Sequence, residues 1–263
     1  MKSVLITGAF GGMGKAATRA FAGAGYYVFA LDKRVEEGIE NVCPMEVDIT
    51  NEESVQNAVQ RVHGMVESLD MILHFAGIYT LDSFLEMDTK DMERAFSVNV
   101  LGAMRINKFF LPMLKKGGKI LITSSELAPL DPLPFTGLYA VTKSALDKYA
   151  YSLRMETQLL GISVTVLRPG AVDTGMLGVS TAALDRFCKE TKLYACNAKR
   201  FKAIVDSVES RKVAPEQIAK KALKIAGKKK PRFVYHINRN PLLLLLNVLP
   251  PRLQTWIIKK VLQ

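Results

Sequence analysis

The chain is poor in the residues that build metal and disulfide frameworks. Its 263 residues include three cysteines and three histidines. Cys43, Cys188 and Cys196 form no Cys-x-x-Cys pair and have no histidine at ligand spacing, so neither a zinc site nor a disulfide scaffold is indicated, and they read as reduced structural thiols. Long hydrophobic runs are missing too. The five leucines at 242–246 fall far short of the roughly 20 residues of a spanning helix and are closed off by Pro250 and Pro251. Only Lys2 stands between Met1 and the run Ser3-Val4-Leu5-Ile6-Thr7, which leaves no room for a secretory signal, and a cytoplasmic protein is expected. Acidic residues are scarce in one part of the chain. Residues 188–263 hold 18 Lys/Arg against 4 Asp/Glu, whereas residues 1–187 hold 18 against 21, so the net charge of +11 belongs to the C-terminal part. Such a block suits an anionic partner or a solvated basic surface, and no nucleic-acid module or interleaved aromatic pattern accompanies it.

What is present is a regular alternation. Short apolar runs at 4–7, 27–31, 45–47, 71–75, 119–123 and 163–167 are separated by helical patterns at 13–24, 54–67, 91–114 and 139–160. This spacing predicts βαβ units and a parallel sheet in a single domain. After Pro169 the alternation lapses over 174–213, where a lid is expected, before a helix opening near Pro215 and a last strand around 232–235.

Thr7-Gly8-Ala9-Phe10-Gly11-Gly12-Met13-Gly14 lies between the first strand and the first helix. Glycines there permit a tight turn and close approach of a pyrophosphate to a helix N-terminus, so the segment predicts dinucleotide binding. Asp32 ends the second strand, where a carboxylate accepts hydrogen bonds from ribose hydroxyls and repels a 2′-phosphate. NAD is expected, with NADP as the alternative because Lys33 and Arg34 follow at once.

Of eight tyrosines, only Tyr139 has a lysine, Lys143, four residues later. On a helix the two share a face, so a phenol and an ammonium converge, and a cation there is expected to lower the phenol pKa. Upstream, the strand of Ile120-Leu121-Ile122 ends in Thr123-Ser124-Ser125 at the carboxyl edge where such sheets bind ligands. Ser125 is expected to donate to a substrate oxygen and Ser124 to bond backbone. Asn99, polar within an apolar helical stretch, either satisfies local backbone or orders a water chain reaching Lys143.

Together the Thr7/Gly8/Gly12/Gly14 turn, Asp32, Asp48, Ala76-Gly77, Asn99, Ser125, Tyr139, Lys143, Pro169-Gly170 and Thr174 resemble the short-chain dehydrogenase/reductase family, of the hydroxysteroid or retinol dehydrogenase kind, over nearly the whole chain. The resemblance implies a Rossmann-type doubly wound parallel sheet with helices on both faces, spanning 1–240 and followed by an apolar and basic tail at 241–263. By it, Tyr139 is the acid/base, Ser125 positions the reacting oxygen, and Asn99 supports a proton relay. Lys143 holds the nicotinamide ribose, Asp48 meets the adenine, and Thr174 the carboxamide. Met13, Pro169 and Gly170 line the dinucleotide, and no metal is required. It also implies a homodimer or homotetramer through the 91–114 and 139–160 helices. A dinucleotide-binding sensor without turnover would have no need of Ser125, Tyr139 and Lys143 together. Where the family reads Asn-Asn-Ala-Gly, this chain has His74-Phe75-Ala76-Gly77, and His74 reads as a satisfied core residue.

The expected substrate is a bulky hydrophobic alcohol or ketone, a hydroxysteroid such as a bile acid first and a retinoid or lipid ketone second. Leu127, Leu130, Leu133, Phe135 and Leu138 offer an apolar wall, and the lid adds Met176, Leu177, Val179, Leu184, Phe187, Leu193, Tyr194 and Phe201. Lys189, Lys192, Lys199, Arg200 and Lys202 on the same lid suggest an anionic substrate. In the tail, Leu253, Trp256, Ile257 and Val261 recur at helical spacing opposite Arg252, Lys259 and Lys260, and packing on protein is expected in preference to a membrane surface.

Overall fold

The computed structural model describes residues 1–209 and 211–263, leaving aside the side chains of 176–180 and 206–209. Strands β1 (Lys2–Thr7), β2 (Tyr26–Asp32), β3 (Val42–Glu46), β4 (Leu69–His74), β5 (Leu114–Thr123), β6 (Ser163–Pro169) and β7 (Val234–Ile237) form one parallel sheet in the order β3-β2-β1-β4-β5-β6-β7. Both faces are covered, which is why the central strands read as continuous apolar runs. Leu5 of β1 joins the core on one face while Val4 and Ile6 join the core on the other. On the Leu5 side pack α2 (Glu52–His63), α4 (Gly102–Phe110) and α5 (Gly137–Thr157); on the Val4 side pack α1 (Gly12–Gly23) and α8 (Pro215–Ala226). The expected Rossmann-type fold class is what the chain adopts.

The expected single helix at 91–114 is broken. Helix α3 (Thr89–Phe96) passes into a π-helical turn, Ser97–Leu101, before α4, and Leu111–Met113 is a 3₁₀ turn leading straight into β5. The wide turn is centred on Asn99, whose amide is engaged outside the helix, a setting in which π-bulges recur.

Beyond β6 the lid consists of α6 (Gly175–Glu190) and α7 (Ala195–Glu209), which enclose a small core of their own: Leu184, Phe187, Ala198 and Phe201 with Leu81. Phe135 reaches into this cluster, its ring 4.6 Å from that of Phe187 and 5.3 Å from that of Phe201. Its φ of 65° is a left-handed conformation that costs a bulky residue free energy, and the surrounding aromatic contacts hold it there. After β7 come α9 (Pro241–Val248) and α10 (Pro251–Leu262). Among the described residues no helix is long and apolar enough to cross a membrane.

Candidate active site

The β1–α1 turn closes tightly against the loop that follows β4. Gly8 has φ +66°, and a Cβ there would lie 2.5 Å from the Ala76 backbone nitrogen; at Gly14 a Cβ would lie 1.9 Å from the Gly8 carbonyl oxygen. Only glycine fits either position. Helix α1 therefore begins right at the turn, with no side-chain cap and no acidic residue in its first turn, so its N–H groups and dipole are free to face an anion. A cleft of about 840 Å³ opens there, with Gly8, Gly12, Met13 and Gly14 on one wall and Ala76, Gly77 and Thr174 on others. Asp32 lines it beside the turn. Its carboxylate accepts from Phe10 N at 2.9 Å and from Lys33 N at 2.8 Å, which fixes it at the mouth of the turn. The nearby cations are already paired, Lys33 with Asp48 at 2.8 Å and Lys15 with Glu36 at 2.6 Å, while Arg34 is exposed and off the cleft wall. A cradle that a Cβ would fill, a free helix N-terminus and a fixed carboxylate suit the pyrophosphate and ribose of a dinucleotide.

Three of the expected residues lie on neither wall. Thr7 is fully buried, its Oγ1 without a partner among the described residues. Asp48 folds back on its own turn, accepting from Thr50 N and Oγ1 at 2.8 and 2.6 Å, while its neighbours Val47 and Ile49 line the cleft instead. Burial works to raise the Asp48 pKa, but Lys33 and the Thr50 donors outweigh it and hold the carboxyl below its usual value. Asn99 stands behind Gly77. Its Oδ1 accepts from Ile78 N at 2.8 Å, and its Nδ2 donates to Ile78 O at 2.9 Å and to Thr142 Oγ1 at 3.0 Å. Both amide hydrogens are thus consumed by protein, which realises the backbone-satisfying reading of Asn99. The side chain ties the post-β4 loop to the first turns of α5.

Ser125, Tyr139 and Lys143 converge on a second, apolar pocket of about 210 Å³. Tyr139 and Lys143 are both buried on α5, one turn apart, with Lys143 Nζ 5.6 Å from the phenol ring centroid and donating to Thr123 O at 3.2 Å. Ser124, as expected, bonds backbone, its Oγ 3.3 Å from Lys143 O. The electrostatics correct one expectation. Burial, reinforced by the neighbouring Tyr79, pushes the Tyr139 phenol above its ordinary value against the opposing Ser125 hydrogen bond. Lysine proximity does not win here, because the same burial lowers Lys143 to about 8, with Asp147 opposing. His74 behaves as expected of a core residue. Its Nε2 lies 2.9 Å from Asn107 Oδ1, and burial lowers its pKa to about 4, so it is neutral at physiological pH.

The apolar wall is only partly the expected one. Leu127, Leu133 and Phe201 line the pocket, joined by Ile204, Val205 and Leu243; Leu184 and Phe187 are instead lid core, and Leu138 lines the glycine-rich cleft. Met176, Leu177 and Val179 lie outside the described side chains. Lys189, Lys192, Lys199 and Arg200 are exposed, and Lys202 pairs with Asp185. None of them lines the pocket, whose charged groups among the described residues are Lys143 and Glu126. Among the described residues the lid cation that reaches the shared cavity is Arg186, which lines the adjoining glycine-rich cleft with Arg94. Pro169 and Gly170 border this pocket rather than the cleft, whereas Thr174 lines both. Two residues the sequence did not flag belong here. Tyr79, with its ring 4.7 Å from that of Tyr139, carried no spacing signal. Glu126 did carry one, as the single acid directly after the serine pair; burial raises its pKa, and its Oε2 accepts from Asn240 N at 2.7 Å.

Relatives and solved structures place this geometry. Residues 2–185 match the short chain dehydrogenase family. The chain is 27% identical over 233 residues to a 3-ketodihydrosphingosine reductase of Bacteroides thetaiotaomicron, covering 88% of this chain and 85% of that protein. It is 29% identical over 208 residues to estradiol 17-beta-dehydrogenase 2 of Mus musculus, covering 72% and 55%. Its fold superposes with TM-score 0.73 on an alcohol dehydrogenase of the archaeon Thermococcus sibiricus solved with 5-hydroxy-NADP, at 25% identity over 92% of this chain and 99% of that one. With a dinucleotide cleft opening onto a serine, a tyrosine and a lysine, the chain belongs to the short chain dehydrogenase family and is an NAD(P)-dependent oxidoreductase.

Proposed function

We propose that this protein interconverts a ketone and a secondary alcohol on a bulky apolar molecule, a long-chain lipid ketone ahead of a hydroxysteroid, with NAD preferred over NADP. The carrying observation is that Ser125, Tyr139 and Lys143 share the wall of an apolar pocket that meets the glycine-lined cleft at Met13, Phe75, Gly77, Tyr79 and Thr174. At about 210 Å³ the pocket is smaller than the roughly 300 Å³ at which sites begin to enclose drug-sized ligands, so it takes the reacting end and leaves the rest of the molecule outside it. A flexible chain threads such a mouth; a fused-ring ligand needs its whole width accommodated at once. The names of the two relatives span both classes, and the steroid remains the second reading on the estradiol relative.

The nicotinamide, when bound, supplies or accepts the hydride. Tyr139, kept neutral by burial, gives its proton to the carbonyl oxygen in reduction and takes it back in oxidation, while Ser125 Oγ donates to the same oxygen. The Lys143 ammonium stabilises negative charge as it develops on the tyrosine oxygen. Asp32 favours NAD because its carboxylate would meet the ribose hydroxyls and repel a 2′-phosphate, with the adjacent Lys33 engaged by Asp48. Val141, Tyr151 and Met155 leave an exposed apolar face on α5, the surface we assign to a second copy in a homodimer or homotetramer.

The test is kcat/KM for a long-chain ketolipid, a ketosteroid and a sugar ketone with NADH and NADPH, followed by absorbance of the reduced nicotinamide. The ketolipid with NADH should lead. A faster steroid would promote the second reading, and a faster sugar would overturn both.

A further inference from the structure

Helix α9 carries five consecutive leucines and buries none of its residues. Its inner side is nevertheless firmly seated. Asn247 Oδ1 accepts from Asp131 N at 2.6 Å, Asn240 N donates to Glu126 Oε2 at 2.7 Å, and Leu243 forms part of the pocket wall. Residues three apart share a helix face, so the outer side presents Leu242, Leu245 and Val248, which are 66%, 64% and 81% exposed. Helix α10 repeats the arrangement. Gln254 and Leu262 are buried and Ile258 packs on the lid core, while Leu253, Val261 and Trp256, the last 56% exposed, face outward beside exposed Arg252, Lys259 and Lys260. Within this chain the inner sides of α9 and α10 pack on protein, and the outer faces are left exposed.

We propose that the outer faces of α9 and α10 dock on an anionic phospholipid bilayer and hold the mouth of the apolar pocket against it. Two observations favour lipid over a second copy. The charged side chains of α9 and α10 are Arg252, Lys259 and Lys260, with no Asp or Glu, so a two-fold contact through this face would set like charges against each other, whereas an anionic surface complements them. A leucine helix, an exposed tryptophan and flanking lysines also make up the side-chain set of an interfacial helix, with aromatic and aliphatic groups below and snorkelling cations above. Leu243, on the inner side of the same helix, forms part of the pocket wall, so docking would bring the bilayer beside the pocket and shorten the path of a lipid ketone to Tyr139. This last step rests on the substrate reading above; the docking itself does not.

Trp256 is the only tryptophan in the chain, and it reports the contact directly. On adding vesicles of phosphatidylcholine mixed with phosphatidylglycerol, its emission should shift to the blue and the protein should float with the vesicles, while pure phosphatidylcholine should bind at least about tenfold more weakly and salt should release the protein. The double variant Leu242→Glu/Leu245→Glu should lose about tenfold or more in vesicle binding while keeping its rate on a short water-soluble ketone, which shows that it is folded. Emission and flotation unchanged by anionic vesicles would overturn the proposal. So would a blue shift that grows with protein concentration without lipid, which would assign the face to a second copy. Vesicle binding without turnover of a ketolipid would leave the docking in place and remove the substrate reading alone.

Discussion

The rings of Tyr79 and Tyr139 lie with centroids 4.7 Å apart and planes tilted by 52°, so the proton donor assigned to the site rests against a second phenol. Tyr79 raises the pKa of Tyr139, adding to the effect of burial. Removing the Tyr79 hydroxyl should therefore shift the onset of alcohol oxidation, which needs the Tyr139 phenolate as base, to lower pH. Tyr79→Phe should retain most turnover and show that shift in its pH profile. Tyr139→Phe should lower kcat by about 100-fold or more with cofactor affinity nearly unchanged, because it removes one transferable proton and little packing surface. Wild-type kcat in Tyr139→Phe, under conditions where hydride transfer limits the rate, would refute the assignment.

Lys143 gives the reduction its own pH limit. Burial lowers its pKa to about 8, so the ammonium is present below that value and is lost as pH rises through it. Reduction depends on that charge, and kcat/KM for the ketone should fall as pH passes about 8. Lys143→Ala should start lower and lack that limb. A wild-type profile flat into the ordinary lysine range would count against the role.

Cofactor choice should turn on Asp32. Replacing it with Ala removes the negative charge at the ribose end and frees the Phe10 and Lys33 amides, so the ratio of kcat/KM for NADH over NADPH should drop about tenfold or more. Paired with Asp48 in the native chain, Lys33 would then be the nearer cation for a 2′-phosphate. A wild-type preference for NADPH would be the contrary result.

Acid stability should report on His74. Its folded pKa of about 4 lies below the ordinary 6.5, so the unfolded chain binds a proton that the folded one does not between those values. Stability from this residue is present above 6.5 and is lost as pH falls towards 4, by about 3 kcal/mol at most. His74→Asn should flatten that part of the stability curve measured by denaturant titration. An unchanged slope would show that other groups set it.

Some of this was written in local sequence. The glycine turn and the Tyr139/Lys143 pair are statements about neighbours along the chain, and their geometry follows from residues one helical turn apart or at the end of a strand. The strands could be read for the same reason, since a sheet covered on both faces leaves apolar runs. The long 91–114 pattern was legible as helical, but not its π turn, because apolar periodicity does not record the long-range side-chain bonds that Asn99 makes within that turn.

What the sequence determined by itself, then, was the family of sheet and the chemical groups available at its carboxyl edge, since both depend on short-range patterns. Only the tertiary structure decided how those groups behave. Asn99 is consumed by Ile78 and Thr142, 21 and 43 residues away, and Asp48 pairs with Lys33, so neither faces the cleft. The sign of the Tyr139 shift depends on how deeply α5 is covered, and no i to i+4 spacing encodes burial. The lid cations and the leucines of α9 were visible as residues, but whether each met solvent, core or pocket was settled by the packing of α6, α7, α9 and α10 around Phe135 and Glu126, contacts that span more than fifty positions of the chain.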